Sequence, residues 1–181
     1  MEWEDFSKKL QELGYFRYVP LTKRKNVPKM LDKIRKTRSL YGAFVYRDYP
    51  ADEERLTECG VKEFLEEVMP ILQANNITIH SINESCSRTG YTLHINNDDV
   101  LLYSGTEMES DTANLWSITT KRAFSMINKL FRQAGSDERI FSRGFGNDHW
   151  SFFLSRRLHD LINKSEIILE SEELFLYEDI A

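Results

Sequence analysis

The stretch "RIFSRGFGNDHWSFFLS", residues 139–155, decides how the rest of the chain is read. An apolar strand pattern runs up to Arg143, and a second one begins at Trp150. Between them, Gly144, Gly146, Asn147 and Asp148 supply the positive φ and local side-chain hydrogen bonds that a chain reversal needs. The stretch therefore predicts strand, turn, strand. It is preceded by "ANLWSITTKRAFSMINKLFRQAG", in which Trp116, Thr120, Ala123, Ile127, Leu130 and Ala134 recur at steps of three and four. Phe124 and Phe131 widen that stripe, and Gly135 stands where a helix-ending glycine belongs. Ser155 is placed to cap a further helix through Ile162. A long amphipathic helix running into an antiparallel hairpin is the grammar of an α+β fold.

Working outward, Trp3, Phe6, Leu10 and Leu13 mark a short helix stopped by Gly14. Pro28 opens a second helix that turns Leu31 and Ile34 inward and Lys29, Lys33 and Lys36 outward. "LYGAFVYRDY", residues 40–49, reads as a strand. Residues 51–76 read as a helix carrying Val61, Phe64, Leu65, Val68 and Leu72, with a kink expected at Pro70, since an interior proline costs about 3 kcal/mol. "ITIHSI" reads as a strand, and residues 91–104 as a hairpin turning at the Asn-Asp cluster. "EIILES" and "ELFLYEDI" offer further strand-like pieces. The expected architecture is one α+β domain, an antiparallel or mixed sheet covered by helices on one side. Residues 1–40 form its basic, helical N-terminal part and residues 41–181 its sheet with packing helices.

A chain of 181 residues can bury a continuous core without staples. Its 41% hydrophobic and 12% aromatic content excludes a disordered chain. No apolar run approaches the roughly 20 residues that span a bilayer, and the charged start "MEWEDFSKKL" has no secretory pattern, so no membrane association and a cytoplasmic location are expected. Cys59 and Cys86 form no C-x-x-C pair and read as two reduced, partly buried thiols. Charge comes in blocks. Residues 1–40 hold 11 basic and 5 acidic side chains, residues 41–115 hold 4 and 14, residues 116–164 hold 9 and 4, and the remainder holds 6 acids alone. Such blocks steer oppositely charged partners.

Catalytic signatures are scarce. His80, His94, His149 and His159 lack metal-ligand spacing, and the acids Asp98, Asp99, Glu107, Glu109 and Asp111 read as solvated turn residues, so no metal and no cofactor are expected. His80 and His94 could meet across a sheet, although ordinary strand histidines account for both. "GFG" does not extend to a dinucleotide fingerprint, and neither a phosphate-binding P-loop nor a serine-hydrolase elbow occurs. One enzymatic alternative centres on Asp148 and His149 with Arg143. Adjacent strand residues point to opposite faces, so that pair would need a partner from elsewhere. A second alternative is nucleic-acid binding through the basic segment 23–38, which the acidic total disfavours.

Residues 116–162, about a quarter of the chain, carry a resemblance in the helix "TTKRAFSMINKL", the following "AGSDERIF" and the "GND" turn before an apolar strand and short helix. This run resembles small cytoplasmic bacterial immunity proteins that protect a cell from polymorphic or contact-dependent toxins. The resemblance implies a non-enzymatic inhibitor that blocks the active site of a cognate toxin domain, often a nuclease with a basic substrate channel. The residues themselves point the same way, because a carboxylate-rich face can mimic phosphate and pair with Lys and Arg. The expected partner-binding residues are Asp48, Asp52, Glu53, Glu54 and Glu58, which approach a helix start, and Glu63, Glu66 and Glu67 on its outer face. Acids at a helix start also complement its dipole, so each has a purely structural use too. Tyr46, Tyr49 and Trp150 are candidate aromatic anchors.

Overall fold

A computed structural model of the chain describes residues 1–40, 45–110, 112–144, 146–169 and 174–177. It is an α+β single domain built on two small antiparallel sheets. The first sheet has the order β1-β6-β5, from Asp48–Pro50 (β1), Glu138–Arg143 (β5) and Trp150–Ser155 (β6). The second has the order β2-β3-β4, from Ile82–Ser87 (β2), Gly90–Ile95 (β3) and Asp98–Ser104 (β4). The helices are α1 (Trp3–Glu12), α2 (Val27–Thr37), α3 (Glu53–Arg55), α4 (Val61–Ala74), α5 (Gly105–Ser110), α6 (Thr112–Gln133) and α7 (Arg156–Asn163).

The deciding stretch folds as read. β5 and β6 pair with Ile140 opposite Phe153 and Phe141 opposite Phe152. Side chains alternate across a strand, so these pairs lie on opposite faces. Ile140 and Phe153 join a core with α4, α6 and the second sheet, whereas Phe141, Phe152 and Leu154 join one with α1, α2 and α7. The first sheet thus has helices on both faces, which is why β6 reads "SFFLS" instead of alternating cleanly. The second sheet buries one face only: Tyr91, Leu93 and Ile95 point to α4 and α6, while Thr92, His94 and Leu101 face outward. Helix α6 serves both sheets, with Phe131 against Phe153 at 5.9 Å between ring centroids.

One buried cation ties the N-terminal part to this framework. Arg47 is fully buried, and its guanidinium donates to the carbonyls of Tyr15 (2.7 Å), Gly14 (2.9 Å) and Phe153. It pairs with the equally buried Glu138 at 2.9 Å and lies 4.5 Å from the Tyr18 ring centroid. Satisfying nearly every N–H in this way is what makes a buried charge tolerable.

Several expectations are corrected. Within residues 40–49, positions 41–44 lie outside the described residues, and β1 spans only Asp48–Pro50. Tyr46 adopts φ +61, and Arg47 turns inward, which breaks the strand before it can lengthen. The helix of residues 51–76 does not break at Pro70, which sits exposed inside α4. It breaks at Glu58 and Cys59, where Cys59 takes φ +68. Gly60 completes the bend, since a Cβ there would meet the Arg55 carbonyl oxygen at 2.5 Å. "ITIHSI" is not a ladder strand, because the Asn96 side chain accepts from His80 N at 2.7 Å and takes the place of a neighbour. The strand starts later, in "INESCS". Of the two tail pieces, the described residues contribute one bridge, Ser142 with Phe175. Cys59 and Cys86 are not free thiols but a disulfide, with Cα atoms 6.1 Å apart, joining the bend to edge strand β2. The bend brings Cys59 over the inner face of β2, a juxtaposition that spacing alone does not reveal.

Candidate functional site

The eight predicted acids divide by orientation. Asp48 is half-buried in β1. Asp52 caps α3 by accepting from Arg55 N at 3.1 Å, and Glu54 accepts from the Asn147 side chain at 3.2 Å. Glu53 points inward and is 5% exposed. Asp52, Glu53 and Glu54 mainly secure the entry to α3. Glu58 in the bend and Glu63, Glu66 and Glu67 on α4 are exposed. Val61, Phe64, Leu65 and Val68 take the buried face of α4, so helical periodicity puts Glu63, Glu66 and Glu67 outside. Arg55 reaches Glu63 at 3.2 Å and Glu67 at 2.6 Å, while Glu58 and Glu66 make no side-chain pair among the described residues. The surface is a short carboxylate ridge, the bend plus little more than the first turns of α4, in which Arg55 bridges Glu63 and Glu67.

The candidate anchors are used in packing. Tyr46 OH accepts from Lys23 Nζ at 2.5 Å, Tyr49 meets Phe153 edge-on at 5.9 Å, and Trp150 packs against the N-terminal core. The basic segment 23–38 does present cations outward, with Lys25, Lys29, Lys33, Arg35 and Lys36 all exposed. Arg38 instead donates to the carbonyls of Glu166 and Ile167.

His149 does not work with Asp148. Asp148 is exposed, whereas the His149 ring turns inward to 1% exposure. There its Nε2 hydrogen-bonds the Ser142 hydroxyl, and its Nδ1 faces Glu53 Oε1 at 3.7 Å. Glu53 Oε2 accepts from Gly146 N at 2.9 Å, and Phe124 closes the other side at 5.5 Å between rings. Arg143, the third member of the enzymatic alternative, is half-buried at the end of β5. Burial pushes the His149 pKa down to about 4 and raises that of Glu53 despite the Gly146 hydrogen bond. Both groups are thereby favoured in their neutral forms. Among the described residues, Glu53 Oε1 and His149 Nδ1 have no partner at full hydrogen-bond geometry. Ser142 is 0% exposed, so a substrate cannot reach this cluster without opening the core. Its evident work is to hold the 144–149 turn against α3. Sequence reading missed Ser142, although its place two residues after Ile140 puts it on the same inward face.

His80 and His94 do not meet, since His80 precedes β2 and bonds through its backbone to Asn96. Among the described residues no three of His, Cys, Asp or Glu gather as a metal site. Glu107 is not a solvated acid. It accepts from Ser104 N at 2.8 Å in a reciprocal cap of α5 and receives Arg122 in a fork at 2.8 and 2.9 Å. The Arg122 hydrogen bond, with the Ser104 N–H, lowers its pKa to about 2. Asp111 lies outside the described residues. No described helix is long and apolar enough to cross a membrane.

Compared with known proteins, no family model matches this chain, and no curated protein and no solved structure matches it.

Proposed function

We propose that this chain is a binding protein that docks and neutralises a basic partner, a cognate toxin domain of the kind immunity proteins inhibit, through the outer face of α4 and the bend before it. The observation that carries this reading is the exposed ridge of Glu58, Glu63, Glu66 and Glu67 on a helix whose opposite face is locked into the core. The backbone under this row of carboxylates needs no ordering on binding, and the row attracts Lys and Arg at long range. The Arg55 bridge pairs with Glu63 and Glu67 while leaving the ridge net negative. The partner is a protein with a basic surface; neither a cofactor nor a membrane enters the reading. The resemblance implies action in the cytoplasm, whereas the Cys59–Cys86 bond suits an oxidising compartment. Alkylation of the chain in intact cells distinguishes the two, since only free thiols react.

The test is affinity purification from the native host at low and then high salt, followed by the fourfold charge reversal E58K/E63K/E66K/E67K. One stoichiometric partner with a basic toxin domain, released by salt and lost on reversal, supports the reading. A partner retained by the reversed ridge, or recovery of nucleic acid alone, refutes it.

A further inference from the structure

The outer face of the second sheet carries an arrangement that the docking reading does not use. Three strands in register place Asn83, His94 and Asp99 side by side in one row, and Ser85, Thr92 and Leu101 in the next. Ser85 Oγ lies 2.9 Å from His94 Nε2, and His94 Nδ1 lies 2.7 Å from Asp99 Oδ1. The order of atoms matters. A carboxylate on Nδ1 fixes the ring with its proton on that nitrogen, which leaves the Nε2 lone pair aimed at the serine hydroxyl. With the proton on Nε2 instead, no base would face the serine.

Access is open. The side chains of His94 and Asp99 are 39% and 74% exposed, and Ser85 lies exposed on the edge strand. Asn83 and Thr92 border Ser85 on the same face, and among the described residues neither side chain is engaged elsewhere. Their amide and hydroxyl are the donors available to an oxyanion forming beside Ser85. Leu101, 51% exposed in the same row, offers an apolar surface for a short acyl chain. The inner face of this sheet holds α4, so the row lies on the far side of that layer from the acidic ridge.

We propose that Ser85, His94 and Asp99 form an acyl-transfer site for small, sterically open esters. Ser85 Oγ attacks the ester carbonyl carbon while His94 Nε2 takes its proton. The carbon–oxygen bond to the leaving group then breaks, and the departing alcohol takes that proton from His94, leaving an acyl group on Ser85. Water, deprotonated by His94, adds to the acyl carbon; the bond from that carbon to Ser85 Oγ breaks, His94 returns the proton to Oγ, and the carboxylic acid leaves. Ser85 and His94 are the catalytic residues, and Asp99 is a positioning residue.

The probe is a small alkyl fluorophosphonate, read by intact mass and peptide mapping, together with p-nitrophenyl acetate hydrolysis. With the fluorophosphonate an Oγ–P bond forms, the P–F bond breaks, and fluoride leaves. The expected result is one adduct, on Ser85, absent in Ser85→Ala and unchanged in Ser87→Ala, its neighbour on the same face. His94→Ala should slow labelling about 100-fold, the usual worth of a positioned general base. Asp99→Asn should slow it about tenfold, with Asp99→Glu recovering most of the loss, a rescue that a mere surface ladder would not show. Labelling of Ser85→Ala at the parent rate, no labelling of the parent chain, or ester hydrolysis that survives Ser85→Ala and so comes from imidazole alone would each overturn the proposal. Melting curves of the variants confirm that the fold persists. Loss of the adduct leaves the docking reading untouched, because that reading is tested on α4.

Discussion

Two serine–histidine–acid clusters occur among the described residues, and they differ in almost everything except the kinds of group they hold. Ser142, His149 and Glu53 are buried, the acid stands 3.7 Å from the ring, and among the described residues the facing atoms lack hydrogen-bond partners. Ser85, His94 and Asp99 lie in the open with both bonds at ordinary length. The first cluster comes from a turn, a strand and a helix start packed around Phe124, whereas the second comes from three adjacent strands in register. The same three kinds of group therefore act as a core knot in one place and as an accessible reactive row in the other. Burial decides which role they take, because a group sealed from solvent can meet only what the fold supplies.

The comparison can be broken at several points. The largest effect is expected from His149→Ala, which removes a buried ring and one partner of the Ser142 hydroxyl; it should cost about 4 kcal/mol in urea unfolding. Joint replacement of Cys59 and Cys86 by serine should cost about 3.5 kcal/mol, the loop-closure value for residues 27 apart. Because that disulfide anchors β2, the double variant should also slow fluorophosphonate labelling of Ser85. A loss of stability with labelling at the parent rate would show that register alone holds the outer cluster together.

The next effect is on pH dependence. His149 has a folded pKa of about 4, below its unfolded value near 6.5, so the unfolded chain binds more protons between those limits. The stability contributed by its neutral form is complete above about pH 6.5 and is lost as pH falls towards 4, by up to roughly 3 kcal/mol. Glu53 acts in the opposite sense, since its raised pKa favours folding at low pH and that benefit fades as pH rises above the usual carboxylate range. Denaturation across this window for the parent, His149→Phe and Glu53→Gln separates the two. The Glu53 variant should steepen the acid loss, and the His149 variant should flatten it. Smallest of all, His94→Ala on the open face should change stability by no more than about 1 kcal/mol, the range of an exposed cross-strand pair. A cost near that of His149→Ala would mean that the outer row is structural after all.

Much of the fold was legible because its signals are local. The stripe of α6, the hairpin at Gly144–Asp148 and the Ser155 cap each follow from residues a few positions apart, and Ser155 does accept from Leu158 N at 3.3 Å. "SGTE" at Ser104–Glu107 was equally legible as a capping box, yet its acid was read as solvated. The bend at Cys59 was not legible, because it depends on a disulfide partner 27 residues away and on the close approach of Gly60 to Arg55. In the candidate site, Glu63, Glu66 and Glu67 followed from helical period, whereas Glu53 turned inward to meet His149, a partner from the distant turn before β6. Ser85, His94 and Asp99 escaped notice for a related reason. Their juxtaposition exists only once the strand of residues 82–87 is recognised, and the apolar alternation of "ITIHSI" drew attention to the wrong six residues.

The buried Arg47 also bears on how the chain is made. Its ligands are carbonyls of Gly14, Tyr15 and Phe153 and the carboxylate of Glu138, so the last of them leaves the ribosome more than a hundred residues after Arg47 itself. Until then the guanidinium has no low-dielectric home, and the N-terminal helices cannot seal against a sheet that does not yet exist. Folding of this protein is therefore expected to wait for nearly the whole chain, exposing nascent residues 1–50 to chaperones throughout synthesis.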